Sequence, residues 1–342
     1  MNKFKFYFIV LFSGLILFSC NKSDDAAVIP VRDLKAQYDT DLITIKTYMK
    51  THYVKSLNLT PGTTAEMDVQ IEKIPTGNPE SLTSLWYRTD KDSTTIERHG
   101  FIYTIYYLKF RLGDATKDNP SRVDNVLVAY DGSYLDTGSE ATRFEYAPFP
   151  TQFLGLDGFI TGWTEVMRLF KPGTPNVVEG QPTVYNDFGA GVMFIPCGLA
   201  YFNNPQSAIP AYSPLVFSFK LYDMKRSDPD ADGILSINED LNGNGIFTDD
   251  DTDGDGIPNY RDADDDGDGV LTLTELKKPV EYLNPTNANY SGPALYYPYD
   301  AISYPDTPEL NETWGAPRCN PQTSADYLDT ARIRKYLDRS CQ

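Results

Sequence analysis

Acidic and amide side chains recur at alternate positions between Asp228 and Glu275, and in four places the third of them is followed at once by glycine. Alternate oxygens of this kind converge on one hard cation, the glycine permits the turn, and a twelfth residue closes the shell. The spacing therefore predicts four calcium loops. Their predicted ligands are Asp228, Asp230, Asp232 and Glu239; Asp240, Asn242, Asn244 and Asp251; Asp251, Asp253, Asp255 and Asp262; and Asp264, Asp266, Asp268 and Glu275.

The alternative for this segment is a disordered acidic linker, but a linker has no reason to repeat the glycine four times. Pro229 follows the first ligand and no helix pattern precedes it, which argues against sensor-type EF-hands. The overlapping loops resemble thrombospondin type-3 and OmpA-linker calcium repeats. That resemblance implies a row of calcium loops with little regular secondary structure, in which Ca²⁺ has a structural role.

The formal net charge of the chain is −18, which argues against nucleic acid as a partner. Residues 228–275 contain 16 acidic side chains and one basic side chain, so −15 of that charge lies in the predicted calcium loops. The rest of the chain is nearly balanced. The acidity therefore describes a local site and indicates nothing about a substrate.

A short helix is predicted upstream of the loops, with Thr161 as its N-cap and Pro172-Gly173 beyond its end. From Trp163 its apolar residues fall on one face at helical spacing. Runs that predict strands lie on both sides in sequence: residues 101–112 and 215–221 alternate with period two, and 126–130 and 191–195 are rich in β-forming residues. The pattern predicts an α+β fold in which a curved antiparallel sheet wraps one short helix.

Seven short sequence motifs occur in a characteristic order along the chain. They are Tyr130-Asp-Gly132, Phe153-Leu-Gly155, Phe159-Ile-Thr-Gly-Trp163, Ile195-Pro196, Ala200-Tyr201, Ile209-Pro210 and Leu215-Val-Phe217. Together they resemble FKBP-type peptidyl-prolyl cis-trans isomerases over residues 100–226. The resemblance implies isomerisation of X-Pro bonds in proline-containing peptides or unfolded exported proteins, with no cofactor for catalysis.

The resemblance also implies a groove with Trp163 as its floor. The walls would be Tyr130, Phe159, Ile160, Ile209 and Phe217. The Ile160 N–H would hold the substrate carbonyl and the Tyr201 hydroxyl would point at the peptide. Phe149 or Phe153 would supply one more aromatic ring.

One position departs from the family. FKBP sequences carry Phe-Asp shortly after the Tyr-x-Gly strand, whereas this chain has Phe144-Glu145 a few residues away. Either that pair substitutes after a small shift in position, or the aspartate is missing. A missing aspartate would affect the catalytic rate more than peptide binding, so a non-catalytic, calcium-stabilised binding module on the cell surface is the alternative function.

Other catalytic chemistry has little support in the sequence. Its two histidines, His52 and His99, both precede the FKBP-like core, and no nucleophile elbow is present. A Ser–His–Asp or Cys–His site is therefore not expected.

The N-terminus resembles the signal of a bacterial lipoprotein. Residues 6–19 are apolar or small and follow two lysines, a run too short to span a bilayer, which takes ~20 residues. Leu17-Phe-Ser-Cys20 resembles a lipobox, in which Cys20 is acylated; an ordinary signal peptide is the alternative. The expected location is the bacterial envelope, with a lipid anchor to the outer membrane on its periplasmic or surface face.

The predicted organisation has six parts. They are a signal peptide at 1–19, a tether at 20–32, a helix-and-strand region at 33–99, the FKBP-like domain at 100–226 with an insertion at 174–190, the calcium repeats at 227–276, and a tail at 277–342. The tail should contain a short helix near 323–338, and Cys319 and Cys341 could form a disulfide there. Because the repeats begin after the last core strand, they are expected to have little influence on the groove.

Overall fold

The secondary structure, taken from a computed structural model that describes residues 30–62, 69–77 and 83–341, contains more strand than helix. Its strands are β1 (His52–Leu57), β2 (Val69–Lys73), β3 (Lys91–Arg98), β4 (Phe101–Arg111), β5 (Asn125–Leu135), β6 (Ala141–Ala147), β7 (Leu154–Gly155), β8 (Thr174–Asn176), β9 (Val184–Asn186), β10 (Gly189–Ile195) and β11 (Leu215–Lys225). Its helices are α1 (Leu34–Thr51), α2 (Thr161–Met167), α3 (Thr272–Glu275) and α4 (Ala325–Leu328). The predicted signal segment and Cys20 lie outside the described residues, and no described helix is long and apolar enough to cross a membrane.

A seven-stranded antiparallel sheet forms the centre of the unit that begins at Leu34. Its strand order is β3-β4-β10-β11-β5-β6, and β7 pairs with one end of β5. Every residue of β10 is buried, and Met193 at its middle lies opposite Tyr107 on one side and Phe217 on the other. The predicted α+β class with an antiparallel sheet is confirmed.

One face of the sheet packs on α2. The helix buries Trp163, Val166, Met167 and, just past its end, Phe170, each at most 1% exposed. Burying one stripe of a short helix in this way is what its apolar spacing predicts. The helix begins at Thr161 with Ile160 in the N-cap position, so the prediction of Thr161 as the cap is wrong. The Thr161 hydroxyl instead accepts a hydrogen bond from Arg98.

The opposite face of the sheet is also covered. Helix α1 places Ile45, Tyr48 and Met49 there, against Leu108 and Val216. Strand β4 therefore buries side chains on both faces, with Tyr103, Ile105 and Tyr107 directed to the α2 side. The sequence predicted α1 but gave no indication of which face of the sheet it covers.

The predicted insertion at 174–190 contains the β8–β9 hairpin and ends inside β10, which begins at Gly189. In the predicted helix-and-strand region, Trp86 lies in the 3-10 turn Leu85–Tyr87. The helix predicted near 323–338 is limited to the four residues of α4, and Ile333 within that range is 66% exposed.

The calcium-loop segment and the tail share one small core. Ile234 and Leu276, from the two ends of the loop segment, pack with Tyr297, Tyr327 and Tyr336. A disulfide joins Cys319 to Cys341, as the sequence suggested. Residues on both sides of the predicted boundary at 276 therefore stabilise each other.

Candidate functional site: an aromatic groove and an acidic loop cluster

Six of the seven predicted groove residues line one cavity of about 500 Å³ on the α2 side of the sheet. They are Tyr130, Phe159, Ile160, Trp163, Tyr201 and Phe217. Ile209 is buried in the same core but does not line this cavity. The pieces that carry the family resemblance are thus brought together in space.

Trp163 is the floor of the groove and is only 1% exposed. Its ring stacks on Phe159 at 5.3 Å and meets the edges of Tyr130 and Phe217 at 5.3 and 4.7 Å between centroids. These offset and edge-to-face contacts fix a rigid apolar surface. The indole N–H is buried and has no hydrogen-bond partner among the described residues.

Trp163 reaches this position because the backbone of α2 lies very close to the sheet at Gly162. A Cβ atom on Gly162 would lie 2.3 Å from the Cγ2 of Ile195 in β10. Only glycine permits this contact, because any larger residue would push α2 away from the sheet. The glycine of the Ile-Thr-Gly-Trp motif therefore has a packing role.

Polar groups surround the rim of the groove. Burial, then a hydrogen bond with Glu145 and the charge of Glu145, raises the pKa of Tyr130 well above its ordinary value. Burial and then the same carboxylate raise the pKa of Tyr201. Both phenols are therefore neutral at pH 7 and can donate hydrogen bonds. No hydrogen bond from the Ile160 N–H to another described residue is present, so that donor is available at the helix start.

The additional aromatic ring was predicted at the wrong residue. Phe149 is 62% exposed and lines a different cavity, and Phe153 lies beneath the Lys225 ammonium, 4.2 Å away. Phe144 takes the place instead, with its ring 5.6 Å from that of Phe217. Glu145 lines the groove beside it, so both residues of the Phe144-Glu145 pair lie in the groove.

The two histidines lie away from the groove. His52 stacks on Tyr48 beneath α1, and its Nδ1 lies 2.9 Å from the Tyr48 carbonyl oxygen. The Nδ1 of His99 lies 3.1 Å from the Tyr103 hydroxyl. Burial lowers the pKa of both imidazoles, which leaves them neutral at pH 7.

The acidic segment folds into four turns of one kind. At the sixth position of each loop the glycine has a positive φ, between 73° and 95° at Gly233, Gly245, Gly256 and Gly269. In three loops the carboxylate at the first position accepts a hydrogen bond from that glycine N–H. In the first, third and fourth loops the three alternate aspartates bring their oxygens within 4.8 Å of one another.

Two acids that the loop pattern did not select join these clusters. Asp265, the second residue of the fourth loop, lies within the same 4.8 Å of Asp232 and Glu239. Asp250 is 6% exposed and accepts a hydrogen bond from Asn242 in the second loop. Asp251 accepts hydrogen bonds from the N–H groups of Gly254 and Gly256, so it begins the third loop. Asp250, which is bonded to Asn242, is therefore better placed than Asp251 to close the second loop. In both cases the signal in the sequence was an aspartate next to a predicted ligand.

The burial of the carboxylates shows whether a cation fits among the loops. Acid oxygens in the first, second and fourth loops are buried and have no hydrogen-bond donor among the described residues; both oxygens of Glu239, Asp265 and Glu275 are examples. Burial, with neighbouring carboxylates adding to it, raises the pKa of Asp232 to about 7, of Asp265 to about 9 and of Glu239 to about 10. Burial raises that of Glu275 to about 8. Crowded buried acids need a compensating charge, and all-oxygen ligands suit a hard divalent cation.

The loop cluster contacts the elements that form the groove. The Arg122 guanidinium donates to the Gly245 carbonyl of the second loop and pairs with Glu165 of α2, where nitrogen and oxygen are 2.6 Å apart. Arg261 forms an ion pair with Asp157, in the turn just before Phe159. Phe247 and Tyr260 pack on Val123 beside them. The acidic loops therefore contact the helix and the turn that carry the groove floor.

Comparison with known proteins supports the resemblance over part of the chain. The chain is 33% identical over 133 residues to the FKBP-type peptidyl-prolyl cis-trans isomerase FkpA of Escherichia coli, in strain K12 and in two further strains. The match covers 39% of this chain and 40% of FkpA, so the chain matches less than half the length of these curated relatives. That part of the chain is thus similar to FKBP-type isomerases.

A family model described as BamM C-terminal matches residues 229–311, which include the acidic loops and the first half of the tail. Among solved structures, a peptidyl-prolyl isomerase of Pseudomonas syringae aligns with 58% of this chain and all of its own, at 16% identity and a TM-score of 0.32. The crystal structure of E. coli FkpA aligns with 35% of this chain and 48% of its own, at 29% identity and a TM-score of 0.27. Superpositions with scores this low add nothing to the sequence relationship.

Proposed function

We propose that this chain is a peptidyl-prolyl cis-trans isomerase that assists the folding of exported proteins in the bacterial envelope. The observation that carries the proposal is the 500 Å³ groove, with Trp163 as floor and the rings of Phe159, Tyr130 and Phe217 around it. A cavity of this size and shape accepts a proline ring and one or two neighbouring residues. The sequence similarity to FkpA, named as an isomerase, points the same way.

The groove offers the chemistry that this reaction needs. An X-Pro bond is held planar by resonance behind a barrier of ~18–20 kcal/mol, and twisting the amide removes that resonance. A dry aromatic surface removes the hydration that favours the planar, more polar amide. The Ile160 N–H and the Tyr201 hydroxyl can bind peptide carbonyls in the twisted form better than in the planar form. No proton transfer is required, which agrees with the histidines lying elsewhere.

The alternative function is a calcium-stabilised module that binds proline peptides without catalysis. The observation that favours it is that the carboxylate in the groove is Glu145, whereas FKBP sequences carry an aspartate after phenylalanine near this point of the chain. The longer side chain could leave its carboxylate out of position for the twisted amide. Acceleration of cis-trans exchange in an Ala-Leu-Pro-Phe-type peptide decides between the two: we expect a rate increase proportional to protein concentration. Peptide binding with no rate increase would leave only the binding module.

Tyr201→Phe should reduce the isomerisation rate by up to about tenfold. The substitution removes one hydrogen bond, worth about 0.5–1.5 kcal/mol, and leaves the ring in place. The measurement is kcat/KM on the proline peptide at pH 7. His99→Asn is the matched control, because asparagine tolerates the positive φ of 56° at this position and the side chain lies outside the groove. Equal losses in both variants would contradict the role of Tyr201.

We further propose that the acidic loops bind structural Ca²⁺. When bound, the ions would neutralise the crowded carboxylates and fix the loops that contact α2 through Arg122. The supporting observation is the set of buried acid oxygens without donors. The metal has no step in the isomerisation itself.

The chain is also proposed to be a lipoprotein anchored through Cys20, on the strength of the lipobox-like Leu17-Phe-Ser-Cys20. Cys20→Ser should abolish incorporation of labelled palmitate and leave the protein soluble or unprocessed. Cys197→Ser, at a buried cysteine, serves as the control and should be labelled like the wild type. Continued labelling of the Cys20 variant would disprove the anchor.

A further inference from the structure

Three carboxylates from two distant loops meet in the interior of the acidic segment. Asp232 and Glu239 belong to the first loop and Asp265 to the fourth, and their oxygens lie within 4.8 Å of one another. The side chains are buried, at 1%, 2% and 1% exposure. Asp265 is at the second position of its own loop, a position that does not supply ligands in a twelve-residue calcium loop. Its side chain therefore serves something other than the fourth-loop ion.

Apart from Oδ1 of Asp232, which accepts a hydrogen bond from the Ile234 N–H, the oxygens of this cluster have no partner among the described residues. Both oxygens of Glu239, both of Asp265 and one of Asp232 are buried without a hydrogen-bond donor. No ion pair with a described lysine or arginine involves any of the three acids. Such a group of carboxylates is costly to bury unless a cation lies among them.

The first loop also lacks a side-chain ligand at its ninth position. That residue, Ser236, is fully buried, and its hydroxyl is hydrogen-bonded at 3.0 Å to that of Ser227, which in turn donates to the Val123 carbonyl. In calcium loops this position often binds the ion through a water molecule. Because Ser236 carries no charge, the first loop can take a charged ligand from elsewhere in its place.

We propose that Asp265 is a ligand of the calcium ion held by the first loop, so that one ion joins residues 228–239 to residues 264–275. The inference rests on the proposed calcium binding and adds a ligand that the loop pattern does not contain. One oxygen each from Asp228, Asp230 and Asp232 and two each from Glu239 and Asp265 are buried without donors, seven in all. Calcium takes about six to eight oxygens. The ion would close the acidic segment into a loop instead of leaving an open row of sites.

Asp265→Asn tests this in the full-length protein, because the amide has the same shape without the charge. In a calorimetric titration with Ca²⁺, we expect the affinity of one site to fall by roughly tenfold or more, since the number of charged ligands sets the affinity of these loops. The luminescence lifetime of bound Tb³⁺ in H₂O and D₂O should show additional coordinated water in the variant. Asp306→Asn, the same charge change at an exposed tail residue, should alter neither measurement.

Thermal unfolding is an independent test. The sign of the change in melting temperature distinguishes a calcium ligand from a residue that only supports the fold. In chelator, Asp265→Asn should unfold at a higher temperature than the wild type, because the wild-type acid must either stay charged when buried or take up a proton on folding, and the amide does neither. In calcium, it should unfold at a lower temperature. A variant that is less stable in both solutions, or unchanged in both, would overturn the assignment of Asp265. A wild-type protein that binds neither Ca²⁺ nor Tb³⁺ would refute calcium binding as such, and this inference with it.

Discussion

Removal of calcium should lower the melting temperature of the protein by roughly 3–9 °C. At about 1 mM calcium and site constants of about 10⁻⁴–10⁻³ M, each site stabilises the folded state by about 0.4–1.4 kcal/mol. Four loops together contribute about 2–6 kcal/mol, and at about 2.1 cal/mol/K of unfolding entropy per residue, 1 kcal/mol corresponds to about 1.5 °C in the unit Leu34–Gln342. The melting temperatures would be compared by calorimetry in chelator and in calcium, with magnesium as the control cation. Magnesium should stabilise much less, because it requires a smaller and more regular shell.

The pH dependence of that shift has a definite sign. Without metal, burial raises the folded-state pKa of Asp232 to about 7, of Asp265 to about 9 and of Glu239 to about 10. In the unfolded chain these acids titrate near their ordinary values of about 4. The contribution of these three acids to the stability of the calcium-free fold is therefore fully present below about pH 4 and is lost as pH rises through those folded-state values.

Calcium reverses the trend, because its ligands must be deprotonated to bind it. Between pH 5 and 8 the melting temperature in chelator should fall, and the gap between the calcium and chelator curves should widen. Parallel curves, or a gap that narrows with pH, would mean that the acids are a solvated spacer and not a metal site.

The sequence allowed prediction of features that depend on local periodicity. The alternation in 101–112 and 215–221 identified the strands whose inward rings form the core, because the side-chain period of a strand is independent of its neighbours. The turn geometry of the calcium loops is equally local, since glycine and the first aspartate act within six residues. Trp163 and its groove partners could be recognised from motif order alone.

What the sequence did not indicate depends on contacts between distant elements. Asp265 meets Glu239 only because the fourth loop folds back on the first, which no spacing rule records. Phe144 reaches the groove through the register of β6 on β5, where a bulge between Gly132 and Ser133 shifts the pairing by one residue. Arg122 and Arg261 connect the acidic loops to the groove although the loops begin after the last core strand. Order along the chain is therefore a poor guide to whether calcium affects the groove.

The largest loss of isomerase activity is expected for Trp163→Ala. The indole forms the groove floor, and its removal leaves the proline ring of a substrate without an apolar surface. At about 25 cal/mol per Å² over roughly 100 Å², the loss is about 2–3 kcal/mol. That corresponds to a decrease in kcat/KM of roughly 30–160-fold. The measurement is made in calcium, on protein whose folded fraction is confirmed by circular dichroism.

Loss of stability alone must be separated from loss of the floor, since truncating a buried aromatic costs about 3–5 kcal/mol of stability. Phe170→Ala is the matched control: Phe170 is also fully buried beside α2 and packs on Phe219 and Tyr107, but it does not line the groove. Under conditions in which both variants are folded, only Trp163→Ala should lose activity. Equal losses would attribute the effect to stability. A folded Trp163→Ala with the wild-type rate would show that catalysis occurs elsewhere, since no proline ring could be held over a floor that is absent.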